Sequence, residues 1–216
     1  MNEFDPIAPF YRAIERAAFG KTLQHCRRAQ LQHLTSVKTI LIGGEGDGRF
    51  LNDLVVVNPN ASITVIDSSE RMLALAKQRV ASREHASLTR IQFLHQDLQT
   101  WSPSKDTYDT IILQFVLDCF PQAMAESILI RWTRGLRIGG QLVYADFHTP
   151  KSKLHRLRAQ LWLWTMYRFF RLTTHIQAHQ LPSLSPTFET LKYQLLERRR
   201  WQGDFIRSER WLRTGP

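Results

Sequence analysis

The sequence predicts an α/β fold: a mostly parallel sheet with helices on both faces, ending in an antiparallel hairpin. Three observations carry this. Short apolar runs recur five times through residues 38–147, as buried parallel strands require. Between them lie stretches with apolar residues at helical spacing, the alternation that builds βαβ units. After Pro150 the pattern changes, and residues 191–213 alternate around Gln202-Gly203-Asp204 as two strands joined by a turn do.

The elements follow in order. Residues 6–34 read as one or two helices, with Ile14, Ala17, Ala18, Leu23 and Cys26 at helical spacing and Gly20 between two pieces. The first strand is expected at 38–42 and runs into Gly43, Gly44, Gly46 and Gly48. A helix over 47–57 follows, closed by Asn58-Pro59-Asn60. The second strand, 62–66, ends on Asp67, and Ser68 or Ser69 caps a helix over 69–83 with Met72, Leu73, Ala76 and Val80 inward. The third strand is expected at 89–94, with the loop His95–Ser104 after it. The fourth is expected at 109–115, then a helix at 122–136, a turn at Arg137–Gly140 and a fifth strand at 141–147. Residues 152–172 read as a long helical segment, and 182–186 as a Pro/Ser linker.

The chain of 216 residues is long enough for one α/β domain, and its 43% hydrophobic content is ordinary for a globular protein. Glu3 and Asp5 precede the first basic residue, so the opening does not read as a secretory signal, and no apolar run reaches the length of a membrane span. Cys26 and Cys119 lack the spacing of a zinc site, so the expectation is two reduced thiols, no metal and a cytoplasmic setting. The net charge of +10 is uneven: residues 1–150 hold 16 Lys/Arg against 15 Asp/Glu, and residues 151–216 hold 13 against 4.

Glycines at the end of a buried strand allow a tight turn with φ > 0 and a close ligand approach. The next helix offers unpaired N–H groups to that ligand. An acid ending the adjacent strand, Asp67, is placed to accept from a ribose diol. Together they read as a nucleotide-type cofactor site. The dinucleotide fingerprint G-x-G-x-x-G fails in each frame, because Gly44-x-Gly46 is followed by Arg49 and Gly46-x-Gly48 by Leu51. The spacing present is G-x-G-x-G.

Four linked stretches narrow the choice: this glycine loop, Asp67-Ser68-Ser69-Glu70-Arg71-Met72-Leu73, Asp97-Leu98, and Leu136-Arg137-Ile138-Gly139-Gly140. In order and spacing they resemble the class I S-adenosylmethionine-dependent methyltransferases over residues 37–147. The resemblance implies a Rossmann-like seven-stranded, mostly parallel sheet and S-adenosyl-L-methionine as cofactor. Gly43, Gly44 and Gly46 would line its methionine part, with Gln114 and Phe115 reaching the methionine carboxylate and amine. Asp67 would bind the ribose hydroxyls, Ser68 and Met72 would sit against ribose and adenine, and Asp97 and Leu98 would hold the adenine. A surface loop acid is the other reading of Asp97. The family usually has an acid two places before its first glycine, where Ile42 stands here. Tyr11 or Asp118, outside the loop, is expected to take over.

Methyl transfer from a sulfonium needs positioning more than proton transfer, and a base only for a protonated acceptor. The fourth and fifth strands end near Asp118, Asp146 and His148, with Asp146 and His148 on one side by alternation and His148 the preferred base. No D/N-P-P-Y/F sequence follows the fourth strand, which argues against methylation of nucleic-acid bases. Leu161–Phe170, flanked by Lys151, Lys153, Arg156, Arg158, Arg168 and Arg171, is apolar over most of its helical surface. It suits a packed helix, a lid over a lipophilic or aromatic small molecule, a dimer interface or an anionic membrane surface. The opening FDPIAPFYRAIERAAFG resembles the N-terminal helix of ubiquinone/menaquinone-type methyltransferases and supports a lipophilic acceptor, methylated on O or C. The expected organisation is a single domain: cap 1–36, cofactor core 37–147, lid or insertion 150–188 and hairpin 190–214. Arg198-Arg199-Arg200-Trp201 and Arg207–Arg213 leave RNA, a peripheral membrane contact or a pathway complex open as partners.

Overall fold

Stretches such as Ile40-Leu41-Ile42 and Ile111-Ile112-Leu113 have no polar face, so they are stable only where helices cover both sides. In the computed structural model, which describes residues 19–150 and 180–215, both runs are at most 2% exposed. The strands are β1 (Thr39–Gly43), β2 (Ser62–Asp67), β3 (Ile91–His95), β4 (Tyr108–Gln114), β5 (Leu136–Phe147), β6 (Tyr193–Trp201) and β7 (Ile206–Arg213). They form one seven-stranded sheet in the order β3-β2-β1-β4-β5-β7-β6. β1 to β5 pair in parallel, and β7 lies antiparallel between β5 and β6. The order reverses between β1 and β4, and a ligand crevice opens at such a switch point, beyond the carboxyl ends of the strands.

The described helices are α1 (Thr22–Arg28), α2 (Arg49–Val57), α3 (Glu70–Arg83), α4 (Gln122–Thr133) and α5 (Ser185–Thr190). Against one face of the sheet pack Phe50, Leu54 and Val80 with Ile40 and Val65, and on the other Trp132, Leu129 and Phe188 with Leu113 and Tyr144. Buried Asn58 ties the first of these layers together. Its amide donates to the Leu34 and Val37 carbonyls at 2.7 Å and accepts from Asn60 and Ala61 N–H.

Most elements lie within two residues of expectation. The main departure is at β5. The turn expected at Arg137–Gly140 falls at Arg134–Gly135, and β5 begins at Leu136. Between the pairs Tyr108↔Leu136 and Thr110↔Gln141 the register slips, so residues 137–140 bulge out of the ladder. Gly139, at φ +78°, makes that bulge possible. The expected Pro/Ser linker is in part helix α5, with Pro186 in its first turn, where a missing N–H costs nothing. Gly20, at φ +59°, lies in the turn that precedes α1, and the helical piece expected before it falls outside the described residues. Tyr11, Leu161–Phe170 and the basic residues flanking that run lie outside the described residues. Among the described residues no helix is long and apolar enough to cross a membrane, and no group of three potential metal ligands occurs.

Candidate active site

The glycine loop owes each glycine to a different cause. A Cβ on Gly43 would lie 2.6 Å from the Trp132 ring, so its absence admits a core side chain. Gly44, at φ +68°, donates to the Ile66 carbonyl at 2.8 Å and is crowded by Val116. Gly48, at φ +80°, is the N-cap of α2, and a Cβ there would sit 2.4 Å from the Ala76 backbone. Gly46 has φ +69° and open space where a side chain would go. We therefore expect Gly48→Ala to cost about 3 kcal/mol or more in urea unfolding, from left-handed strain plus overpacking. Gly46→Ala should cost only about 1–2 kcal/mol yet block ligand from the loop.

Because Gly48 has no side chain, α2 is capped from elsewhere: Glu45 Oε1 accepts from Leu51 N–H at 2.8 Å. Asp47 anchors the loop to its neighbours, accepting from Arg49 Nε and from an Arg79 terminal nitrogen at 2.9 Å each. Asp67 lies where β2 ends, beside the loop. Its Oδ2 accepts from Gly46 N–H at 3.1 Å and its Oδ1 from Ser69 N–H at 2.9 Å. Ser69 is the N-cap of α3, accepting from Met72 N–H at 3.1 Å. Met72 is buried under that first turn, and half-buried Ser68 accepts on its carbonyl from His95 Nε2.

The remaining expected contacts divide. Gln114 is buried and donates to the Arg27 carbonyl at 3.1 Å, joining β4 to α1. Phe115 has φ +54°, a strained conformation for a bulky residue. Its ring lies under the Arg27 guanidinium, 5.1 Å from the centroid. Asp97 is exposed and caps its own turn, accepting from Gln99 N–H at 2.8 Å, while Leu98 is only 3% exposed and belongs to the core under α4. Arg27 and Glu45 were not singled out in the sequence. An arginine on a helix reads as solvated, and an acid between glycines carries no periodicity; the local signal was only that the loop holds two acids, Glu45 and Asp47.

At the ends of β4 and β5 the structure brings the buried carboxyls of Asp118 and Asp146 together, an arrangement that favours one proton shared between them. Burial pushes Asp118 up to about 6 and raises Asp146 as well, where the neighbouring Asp118 charge adds to it. The Tyr144 hydroxyl donates to Asp146 Oδ2 at 3.4 Å, and the Phe147 N–H to Oδ1 at 2.9 Å. Alternation holds: Tyr144, Asp146 and His148 share a side, and the Tyr144 and His148 rings meet edge-on at 6.0 Å. Burial, with the Arg207 charge behind it, pushes His148 down to about 3. It is therefore neutral in the working range and a poor proton acceptor, so the carboxyl pair is better suited to that task.

The hairpin arginines are not a free cationic surface. Arg198 pairs with Glu209, Arg199 with Glu197, Arg200 and Arg207 with Asp204, Arg210 with Glu197 and Arg213 with Asp106. Trp211 stacks on Phe188 at 4.4 Å and donates to Glu209 at 2.9 Å, which makes it part of the core. Of the cysteines, Cys26 is buried and donates to the Arg207 carbonyl, and Cys119 to Asp118.

A strand order of this kind, a glycine loop with φ > 0 and an acid ending β2 recur in many nucleotide-binding proteins, so the family is decided by comparison. Residues 40–140 match the family profile described as methyltransferase domain. Over this stretch the chain is similar to a methyltransferase domain. The malonyl-(acyl-carrier protein) O-methyltransferase of Paenibacillus sp. (strain JDR-2) is 35% identical over 129 residues, covering 57% of this chain and 44% of that protein. The chain thus spans less than half the length of that relative. Among solved structures, the N-methyltransferase NodS of Bradyrhizobium japonicum WM9, in complex with S-adenosyl-L-homocysteine, superposes with TM-score 0.63 at 18% identity, covering 89% of this chain and 88% of that one. The mitomycin 7-O-methyltransferase MmcR superposes with TM-score 0.68 at 15% identity, covering 99% and 61%. These share the fold. The methyltransferase domain fits its cofactor in two particulars: open space at Gly46, and the Asp67 carboxylate beside it at the end of β2.

Proposed function

We propose that the chain transfers the methyl group of S-adenosylmethionine to a hydroxyl or acidic carbon of a small, apolar or aromatic acceptor. The observation that carries this is the proton-sharing pair Asp118–Asp146 at the carboxyl ends of β4 and β5, beside the glycine loop. S-adenosylmethionine, when bound, supplies a methyl group on a good leaving group. The residues of the chain then have three tasks. Asp67 and the Gly44–Gly48 loop hold the nucleoside, Phe115 and Arg27 bound the crevice at β4, and Asp118 takes the acceptor's proton while Asp146 and Tyr144 hold that carboxyl in place.

The activities of the relatives, O-methylation for two of them and N-methylation for NodS, support methyl transfer in general and favour oxygen by two to one. We read the chain as a single domain with cap 1–36, core 37–147, hairpin 190–214 and a lid at 150–188 whose apolar, aromatic run suits a lipophilic acceptor. The ion pairing of the hairpin arginines with Glu197, Asp204, Glu209 and Asp106 weakens the reading as an RNA enzyme. Two measurements test the proposal. Calorimetry should show S-adenosylhomocysteine binding to the full chain. Incubation with radiolabelled donor and a panel of phenols, fatty acyl esters, quinols, amines and RNA should label a hydroxyl or carbon acceptor. Labelling confined to amines or RNA would refute the acceptor class.

A further inference from the structure

Of the two acids between the loop's glycines, Glu45 is the one that forms no ion pair among the described residues. Asp47 is held by Arg49 and Arg79, and Asp67 accepts from two N–H groups. Among the described residues Glu45 makes a single hydrogen bond, Oε1 accepting from Leu51 N–H, whereas a carboxylate has about four acceptor positions. It is half-buried, between Gly44 and Gly46, and a Cβ at Gly46 would meet nothing within 4 Å. The charged groups that act on it are Arg27 from α1, Asp47 from its own loop and Asp67 from β2. A glutamine would offer Leu51 N–H the same acceptor, so that hydrogen bond alone does not call for an acid here.

We propose that Glu45 is the receptor for the cationic end of the donor, the carboxyl that takes the ammonium of its amino-acid part. This rests on the donor reading above and assigns the polar contact that the sequence placed outside the loop, on Tyr11 or Asp118. With Asp118 committed to Asp146, the loop itself carries the function. Burial pushes Glu45 up to about 8, partly offset by the Leu51 N–H and Arg27, with Asp47 and Asp67 adding to the rise. At pH 7 the free carboxyl therefore holds its proton. An arriving ammonium favours the ionised form, and the proton leaves to solvent as the ion pair forms. Ligand affinity then rises with pH until Glu45 is ionised without ligand.

The test is calorimetric titration of the full chain with S-adenosylhomocysteine at pH 7, in phosphate and in Tris, with 5′-methylthioadenosine, which lacks the amino-acid part, as comparison. The wild type should release close to one proton per S-adenosylhomocysteine, read as a difference in enthalpy between the buffers. Its affinity should rise nearly tenfold per pH unit between pH 6 and 7.5. The thioadenosine should release none. Glu45→Gln, which keeps an acceptor for Leu51 N–H, should abolish the release and the pH slope. It should also weaken S-adenosylhomocysteine tenfold or more while leaving the thioadenosine unchanged. Binding of S-adenosylhomocysteine with equal enthalpy in both buffers, or equally by Glu45→Gln, overturns the role of Glu45 alone. Failure of the wild type to bind either nucleoside overturns the donor reading and this inference with it.

Discussion

Asp67→Ala is expected to bind S-adenosylhomocysteine about a hundredfold more weakly than the wild type, the loss of two hydrogen bonds to a charged group at about 1.5 kcal/mol or more each. The geometry explains why one residue matters this much. Asp67 is fixed from two sides, by Gly46 N–H at 3.1 Å and Ser69 N–H at 2.9 Å, so its carboxylate is oriented before any ligand arrives. A ribose diol meeting it has no ordering cost to meet on the protein side. The same two contacts make Asp67→Ala less stable, so affinity alone does not separate orientation from contact. A double-mutant cycle does. A 2′,3′-dideoxy analogue should bind the wild type about a hundredfold more weakly than S-adenosylhomocysteine, yet bind Asp67→Ala as well as the natural ligand does. Additive losses in that cycle would mean that Asp67 shapes the loop without touching the ribose.

Asp118→Asn should lower kcat by about 10²–10⁴-fold with little change in the KM for the donor, the range expected when a positioned base is removed. In the wild type, kcat/KM should rise with pH through about 6, where Asp118 gives up its proton and the pair gains a free acceptor. The variant should lack that limb. His148→Phe should leave the limb in place, because an imidazole pushed down to about 3 does not titrate there. Stability moves the other way. A carboxyl whose pKa is raised on folding contributes stability that is fully present below its unfolded value and is lost as pH rises through the folded one. Asp146→Asn should therefore flatten the fall in Tm between pH 5 and 8, while costing little at pH 5. A variant inactive only because it is unstable would show the opposite pattern, and thermal melts across that range distinguish the two.

Much of the site was legible from local pattern. Strand ends place residues at the carboxyl edge of the sheet, so Asp67, Gln114, Asp118 and Asp146 were all found at the edge they occupy. The side shared by Asp146 and His148 follows from the two-residue period of a strand. The exact role at that edge was less legible. The sequence put His148 ahead of Asp146 as the base, and in the structure the two differ because Asp146 meets another carboxyl while His148 meets Arg207. Asp97, read as a ligand acid, also caps its own turn, since an aspartate two residues before a free N–H satisfies it locally.

By itself the sequence determined what depends on near neighbours along the chain: the βα alternation, the glycine turn, the Ser69 cap, the hairpin at Gln202–Asp204. Periodicity and turn chemistry act over a few residues, so they survive without knowledge of the fold. Only the tertiary structure decided what depends on strands crossing between distant segments. It paired Asp118 with Asp146, set Arg27 over Phe115, stacked Trp211 on Phe188 and matched the hairpin arginines with acids. It also left Glu45, inside the glycine loop, with no ion pair among the described residues. Burial and charge pairing are properties of the space around a side chain, and that space is filled by residues far away in the sequence.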